Sequence, residues 1–177
     1  MKHWRAARKN NRNDGALVIT VGSRADVSKI DAVYAAVGWT PAGGIRSRDN
    51  FLLARRGHRV VGVLMYWVDD DPEALPQAWT QTYGHSTRLV VQEIAVLPDY
   101  QRSGVGRALI QAAASTAVRA GIQYLFTWPS PRGTPQQRDG RMAFFGRCGM
   151  SVFQPESQVE MVGLAEDVLA AAGGSAE

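Results

Sequence analysis

The 177-residue sequence is poor in cysteine, in long apolar runs and in metal-ligand patterns. Cys148 stands alone, so no disulfide can form within the chain, and a reducing, cytoplasmic setting is the expectation. No stretch approaches the roughly 20 apolar residues that span a bilayer, and no apolar signal run opens the chain. A membrane partner is therefore not expected. The three histidines, His3, His58 and His85, have no cysteine or carboxylate partners at zinc spacing, so no metal is expected. Acids are missing from the start: Lys2, Arg5, Arg8, Lys9 and Arg12 all precede Asp14. Of 20 basic and 16 acidic residues, those five belong to this leader, which leaves 15 bases against 16 acids. The high pI thus comes from an arm and not from the body of the chain. Nucleic acid is not an expected partner, because a binding domain would carry the basic face itself.

What is present reads as one domain. The length allows a sizeable core, and 45% hydrophobic with 20% charged residues is ordinary for a globular protein. Residues 1–14 read as a basic, disordered leader, 15–165 as the domain and 166–177 as a tail that adds at most a helical turn. Strands are expected at Ala16–Val21, Phe51–Arg55, Val60–Val68, Leu89–Leu97, Ile122–Thr127, Met150–Phe153 and Val159–Gly163. Arg56-Gly57-His58 suggests a hairpin turn. Helices are expected at Asp26–Val37, where Ile30, Val33, Tyr34 and Val37 recur at helical spacing, and at Gly104–Arg119 and Arg141–Arg147. Residues 69–77 read as a loop or short helix, and residues 128–140, rich in proline and glycine, as a loop able to close over a site. The fold class is α+β, a mixed α/β domain around one central sheet.

The most informative stretch is PDYQRSGVGRALI, Pro98–Ile110, between a strong strand and the strongest helix. The first N–H groups of a helix lack intrahelical acceptors, and the helix dipole adds partial positive charge. Together they bind phosphate. Gly104 and Gly106 leave the backbone accessible, and Arg102 and Arg107 add charge. A Walker A loop would need Gly-Lys-Ser/Thr, which is absent. A dinucleotide fingerprint would need a small residue where Leu109 stands, and a tight turn where residues 98–103 intervene.

The segment VVQEIAVLPDYQRSGVGRALI, Val90–Ile110, resembles the signature of the GNAT superfamily of acyl-CoA N-acyltransferases. AFFGRCGM, Ala143–Met150, resembles a second family segment, and VGWT, Val37–Thr40, a third and weaker one. The matching spans roughly Val18 to Val162. The resemblance implies a mostly antiparallel sheet flanked by helices, with two splayed parallel strands, here Leu89–Leu97 and Ile122–Thr127. It implies acetyl-CoA as co-substrate, its pantetheine arm paired with the backbone near Ile94, Ala95 and Val96. Its pyrophosphate would sit on Gln101, Arg102, Ser103, Gly104, Val105, Gly106 and Arg107, with Phe145 also against the cofactor. The acetyl group would pass directly to a primary amine of a small molecule. A peptide acceptor and a non-catalytic acyl-CoA-binding module are the alternatives. A monomer or a homodimer is implied.

An alkylammonium, with a pKa of roughly 10, must lose its proton before it attacks. Glu93 interrupts an apolar strand just before the pairing residues and is the leading base, since burial raises a carboxyl toward the useful range. The family's usual general acid, a tyrosine four residues before the helix-ending glycine, is replaced: Gly149 sets that position as Phe145. Tyr100 is the candidate replacement, with Cys148 behind it; a thiolate leaving unassisted is the other possibility. Trp39 and Trp128 are candidates for the substrate pocket.

Overall fold

The computed structural model describes residues 15–39, 49–71, 75–129, 134–153 and 160–174. The leader, residues 1–14, lies outside them, as do Thr40–Gly44 of the VGWT loop and residues 130–133 of the proline-rich loop.

Among the described residues seven strands form one mixed sheet in the order β1-β2-β3-β4-β5-β7-β6. They are β1 (Leu17–Val21), β2 (Asn50–Arg56), β3 (Arg59–Asp69), β4 (Arg88–Val96), β5 (Tyr124–Thr127), β6 (Ser151–Val152) and β7 (Met161–Leu164). Five helices flank it: α1 (Val27–Ala36), α2 (Gln77–Tyr83), α3 (Val105–Arg119), α4 (Pro135–Arg147) and α5 (Ala165–Gly173). Only β4 and β5 run parallel; every other pair is antiparallel. A parallel pair needs a long crossover, and α3 supplies it.

The helix α3 is built to lie flat on the sheet. Val105, Leu109, Ile110, Ala113, Ala114 and Ala117 are all buried, one stripe at three- and four-residue spacing. Its alanines keep the helix close. Gly62 on β3 does the same from the other side, since a Cβ there would stand 2.8 Å from Val105 Cγ1. The segment expected as a tail with a helical turn is the helix α5, which packs on α3 and buries Val168 and Ala172. On the opposite face α1 packs on β3 and β4 through Ile30, Val33 and Tyr34.

Two more helices differ from the sequence expectation. The α2 helix overlaps the segment read as a loop or short helix, residues 69–77, only at Gln77 and runs on to Tyr83, where no element was expected. It is anchored by Trp79, which is fully buried and whose indole N–H donates to the Ser86 carbonyl at 3.0 Å. The α4 helix begins six residues before the expected start. Thr134 caps it, accepting from the Gln137 N–H while the Gln137 side chain accepts from the Thr134 N–H, and Pro135 fills the first turn.

Candidate active site

The site begins where β4 and β5 part. Their parallel register runs from Arg88↔Tyr124 to Val91↔Thr127 and stops there. β4 continues to Val96 with β3 on one side and no β5 residue on the other. The Thr127 hydroxyl marks the point of divergence, donating to the Val91 carbonyl at 2.9 Å. Beyond it, residues 92–96 present a strand edge able to pair with an extended ligand.

A bulge decides which way the side chains of this edge point. Met65 pairs with Glu93 but Tyr66 pairs with Val91, so Gln92 is the extra residue. Met65 and Tyr66 are neighbours and face opposite sides of the sheet. Glu93 and Val91 therefore face opposite sides too, although they are two residues apart. Val96 and Ile94 face α3, across from Gly62 and beside Gly106. Glu93 and Ala95 face α1.

Glu93 is only 5% exposed. Its surroundings include Tyr34 of α1, a residue 1% exposed, whose buried hydroxyl has no hydrogen-bond partner among the described residues. Burial pushes the Tyr34 phenol far above its ordinary range, and the charges of Glu93, Asp49 and Asp31 push the same way. Tyr34 is thus a neutral donor at neutral pH. Trp39 meets it edge-on, with ring centroids 5.5 Å apart. The Gln92 Oε1 atom is also buried without a partner among the described residues.

At the end of β4 the chain makes a 3-10 turn, Pro98–Tyr100, and enters the glycine-rich loop. Gln101 Nε2 donates to the Val96 carbonyl at 3.0 Å, and the Ser103 hydroxyl to the Tyr100 carbonyl at 2.6 Å. The first bond ties the loop back to the strand, and the second closes a turn within the loop. Arg102 (φ 60°) and Gly104 (φ 86°) are both left-handed, and Arg102 is the only such non-glycine residue described. Left-handed residues turn successive N–H groups into one concavity that suits an anion, and the strain at Arg102 is of the kind found at binding sites. A Cβ on Gly104 would meet nothing within 4 Å, so the space above the loop is open. The first helical bond is accepted by the Gly104 carbonyl from the Ala108 N–H, which leaves the N–H groups of Val105, Gly106 and Arg107 pointing outward.

Several expected residues take positions that sequence alone does not show. The Arg107 guanidinium donates to the Gly174 carbonyl at 3.1 Å, so its side chain ties α3 to the end of α5. Tyr100 is half-buried, with the Arg59 guanidinium 5.6 Å over its ring. Phe145 is buried in the core, and the ring that reaches the start of α3 is Phe144, whose Cζ would lie 3.3 Å from a Cβ on Gly106. Cys148 is also buried, and burial pushes its thiol up, against the opposing charges of Arg107 and Arg147. Trp128, just past β5, is 38% exposed and stacks on Trp67 at 6.0 Å and 28°. Sequence reasoning missed Tyr34 and Gln92. Tyr34 reads as one more apolar helix position, and only its hydroxyl, a polar atom on a core stripe, hints otherwise.

Among the described residues no His, Cys, Asp or Glu cluster is placed to hold a metal, and no helix is long and apolar enough to cross a membrane. A groove of about 380 Å3 lies between β1, α3 and α5, lined by Leu17, Ile19 and Leu169, away from the parting of β4 and β5.

Comparison with known proteins agrees with this geometry. No curated protein matches the chain in sequence. Solved structures share the fold. The PaiA N-acetyltransferase of Thermoplasma acidophilum, in complex with coenzyme A, is 13% identical, with a TM-score of 0.59 over 84% of this chain and 99% of that one. An aminoglycoside acetyltransferase from an uncultured soil metagenomic sample, in complex with trehalose, is 17% identical, with a TM-score of 0.54 over 73% and 85%. The ribosomal-protein-S18-alanine N-acetyltransferase of Escherichia coli is 13% identical, with a TM-score of 0.56 over 85% and 94%. The model of the acetyltransferase (GNAT) family matches residues 26–150, from the residue before α1 to the one before β6. A parallel pair that parts at Thr127, a glycine-rich loop at the start of α3 and a family match over most of the chain lead to one conclusion: this protein belongs to the GNAT family of acetyltransferases.

Proposed function

We propose that the chain transfers an acetyl group from acetyl-CoA to a primary amine of a small molecule. The observation that carries this reading is the divergence of β4 from β5 at Val91 and Thr127, with an open glycine-rich loop at the far end of the same strand edge. Coenzyme A fits these residues: an extended amide-bearing arm suits the unpaired edge of 92–96, and a pyrophosphate suits the N–H groups of Arg102–Arg107. Arg102 adds a positive side chain there; Arg107 contributes its backbone N–H. When bound, acetyl-CoA supplies an activated thioester carbonyl.

The chain's own residues do the rest. Glu93 accepts a proton from the acceptor ammonium, directly or through water, and passes it to solvent. The neutral nitrogen bonds to the acyl carbon, the carbon–sulfur bond breaks, and the electron pair leaves on sulfur. A backbone N–H near Ala95 or Val96 stabilises charge developing on the carbonyl oxygen. The Tyr34 hydroxyl, buried on the Glu93 side without an acceptor among the described residues, is available to donate to a water or acceptor group bound there. Phe145 donates no proton, and Cys148 is held in the core, so Tyr100 is the side chain left near the loop to protonate sulfur. A thiol pKa near 8.5 also lets the thiolate leave unassisted.

Glu93→Gln tests the assignment. Its kcat at pH 7 should fall at least tenfold and recover in part as pH rises toward the pKa of the amine, with acetyl-CoA affinity retained. An unchanged kcat at every pH would remove Glu93 from the mechanism.

A further inference from the structure

The face that Glu93 shares with its neighbours on β3 and β5 has a distinct chemistry beyond the carboxylate. Trp67 follows Tyr66 on β3 and so lies on the same side as Met65 and Glu93. Trp67 and Trp128 stack there as one aromatic wall. Trp128 is held from three directions: Trp67 lies against its face, Phe126 meets it edge-on at 4.7 Å and 83°, and its indole N–H donates to Glu160 Oε1 at 3.2 Å. A tryptophan that is 38% exposed yet fixed by three partners is a preformed surface.

Among the described residues the charge around it is one-sided. Residues 66–71, 88–93, 126–129 and 160–162 flank the wall on β3, β4, β5 and β7, and they hold Asp69, Asp70, Asp71, Glu93 and Glu160. Their single cation is Arg88. Arg88 is buried behind Phe126 and donates from Nε and Nη2 to Asp69 Oδ2 at 3.1 and 2.9 Å. With Glu93 buried and Asp69 paired to Arg88, the more exposed acids among the described residues here are Asp70 and Asp71, with Glu160 half-buried against Trp128, so this part of the surface is acidic and aromatic together. That combination favours a positive group over an apolar or an anionic one, because the ring face and the carboxylates attract the same charge.

Resting on the acetyltransferase reading of this site, we propose that the acceptor carries at least two amino or guanidino groups. One loses its proton beside Glu93 and is acetylated. A second keeps its charge against Trp67 and Trp128, near Glu160. Trp67 stands two residues along β3 from Met65, the partner of Glu93, a separation of about 7 Å. The acceptor is then a short-spaced di- or polycation, in which the unreacted group sets the register of the reacting one.

The experiment uses the full chain with acetyl-CoA and three matched acceptor series of equal chain length: α,ω-diaminoalkanes from butane to octane, 1-aminoalkanes, and ω-amino carboxylates. Thiol release is followed for each. The expected order in kcat/KM is diamine, then monoamine, then amino carboxylate, with an optimum length among the diamines. Trp128→Leu should lower the diamine-to-monoamine ratio about tenfold, mainly through KM, while Trp128→Phe keeps most of it and Glu160→Gln lowers it less. A merely structural role for Trp128 would move all three series together and leave the ratio unchanged. Equal use of monoamines, or a ratio untouched by Trp128→Leu, would overturn the proposal. If acetyl-CoA binds and no amine releases thiol, the acetyltransferase reading fails by itself. Calorimetric titration of the best-fitting diamine then decides the cation site: heat that Trp128→Leu abolishes upholds it, and no heat overturns it.

Discussion

Asp69→Asn should cost more stability than Arg88→Met, because the two halves of their ion pair are unequally hidden. The Arg88 side chain is 3% exposed and that of Asp69 19%. The guanidinium also lies 4.7 Å from the Trp79 ring centroid and 4.3 Å from that of Phe126. Neutralising Asp69 strands a buried cation, a loss of about 3–5 kcal/mol. The two ring faces return roughly 1 kcal/mol, for a net of about 2–4 kcal/mol. Replacing Arg88 leaves a carboxylate that turns toward water, and the methionine fills the space between the rings with favourable sulfur–aromatic contacts. That cost is about 1–2 kcal/mol. At roughly 2–4 °C per kcal/mol for a chain of this size, Tm should fall by about 5–15 °C in Asp69→Asn and by half that or less in Arg88→Met. Urea melts at constant m measure the same difference as a shift in midpoint. An equal or larger loss in Arg88→Met would refute the reasoning, and would put the stabilisation in the packing of the arginine stem.

Three further predictions follow from single contacts. Arg102→Glu combined with Gly104→Glu should abolish acetyl-CoA binding in calorimetry while the far-ultraviolet dichroism stays native; undiminished affinity would show the pyrophosphate to bind elsewhere. Thr127→Val removes the buried hydroxyl donor to Val91 and should cost about 1–3 kcal/mol, with Thr127→Ser close to wild type; a neutral valine would mean that the parting of β4 and β5 does not depend on this bond. Asp26 accepts from Lys29 and Arg55, and these partners hold its carboxyl well below the usual carboxylate range. Its contribution is present above the unfolded carboxyl pKa near 3.9 and is lost as pH falls toward the folded value, so Asp26→Asn should flatten that part of the Tm-against-pH curve below pH 4, and an unchanged slope would contradict it.

Much of the fold is legible where one period dominates. The stripe of Val105, Leu109, Ala113 and Ala117 marks α3, and the apolar run through Val90 and Val91 marks β4. The glycine-rich loop is legible because its residue types answer directly to a chemical need. The α4 start was also within reach: Thr-Pro-Gln-Gln, residues 134–137, is a capped helix start that proline and glycine nearby disguise as a loop. Other features have no local signal. The seven-residue α2 buries only Trp79, whose ring meets Tyr124, Phe126 and Phe153, all distant in sequence. The bulge at Gln92 is set by the pairing of β4 with β3, and it reverses the face on which Glu93 lies. Arg88 and Asp69, or Trp67 and Trp128, meet only because the sheet brings their strands together. The candidate site is therefore half legible: the anion loop from its sequence, the acceptor face from its topology.

The central claim is acetyl transfer to an amine, and its most direct measurement is release of free thiol from acetyl-CoA, read with a thiol-reactive dye across a broad panel of amines and peptides after calorimetry has established acetyl-CoA binding. The account predicts amine-dependent release, strongest with small polyamines, at a rate that Phe145 in place of a tyrosine does not abolish. Tight binding of acetyl-CoA with no release on any acceptor would contradict it, and would make the protein an acyl-CoA-binding module.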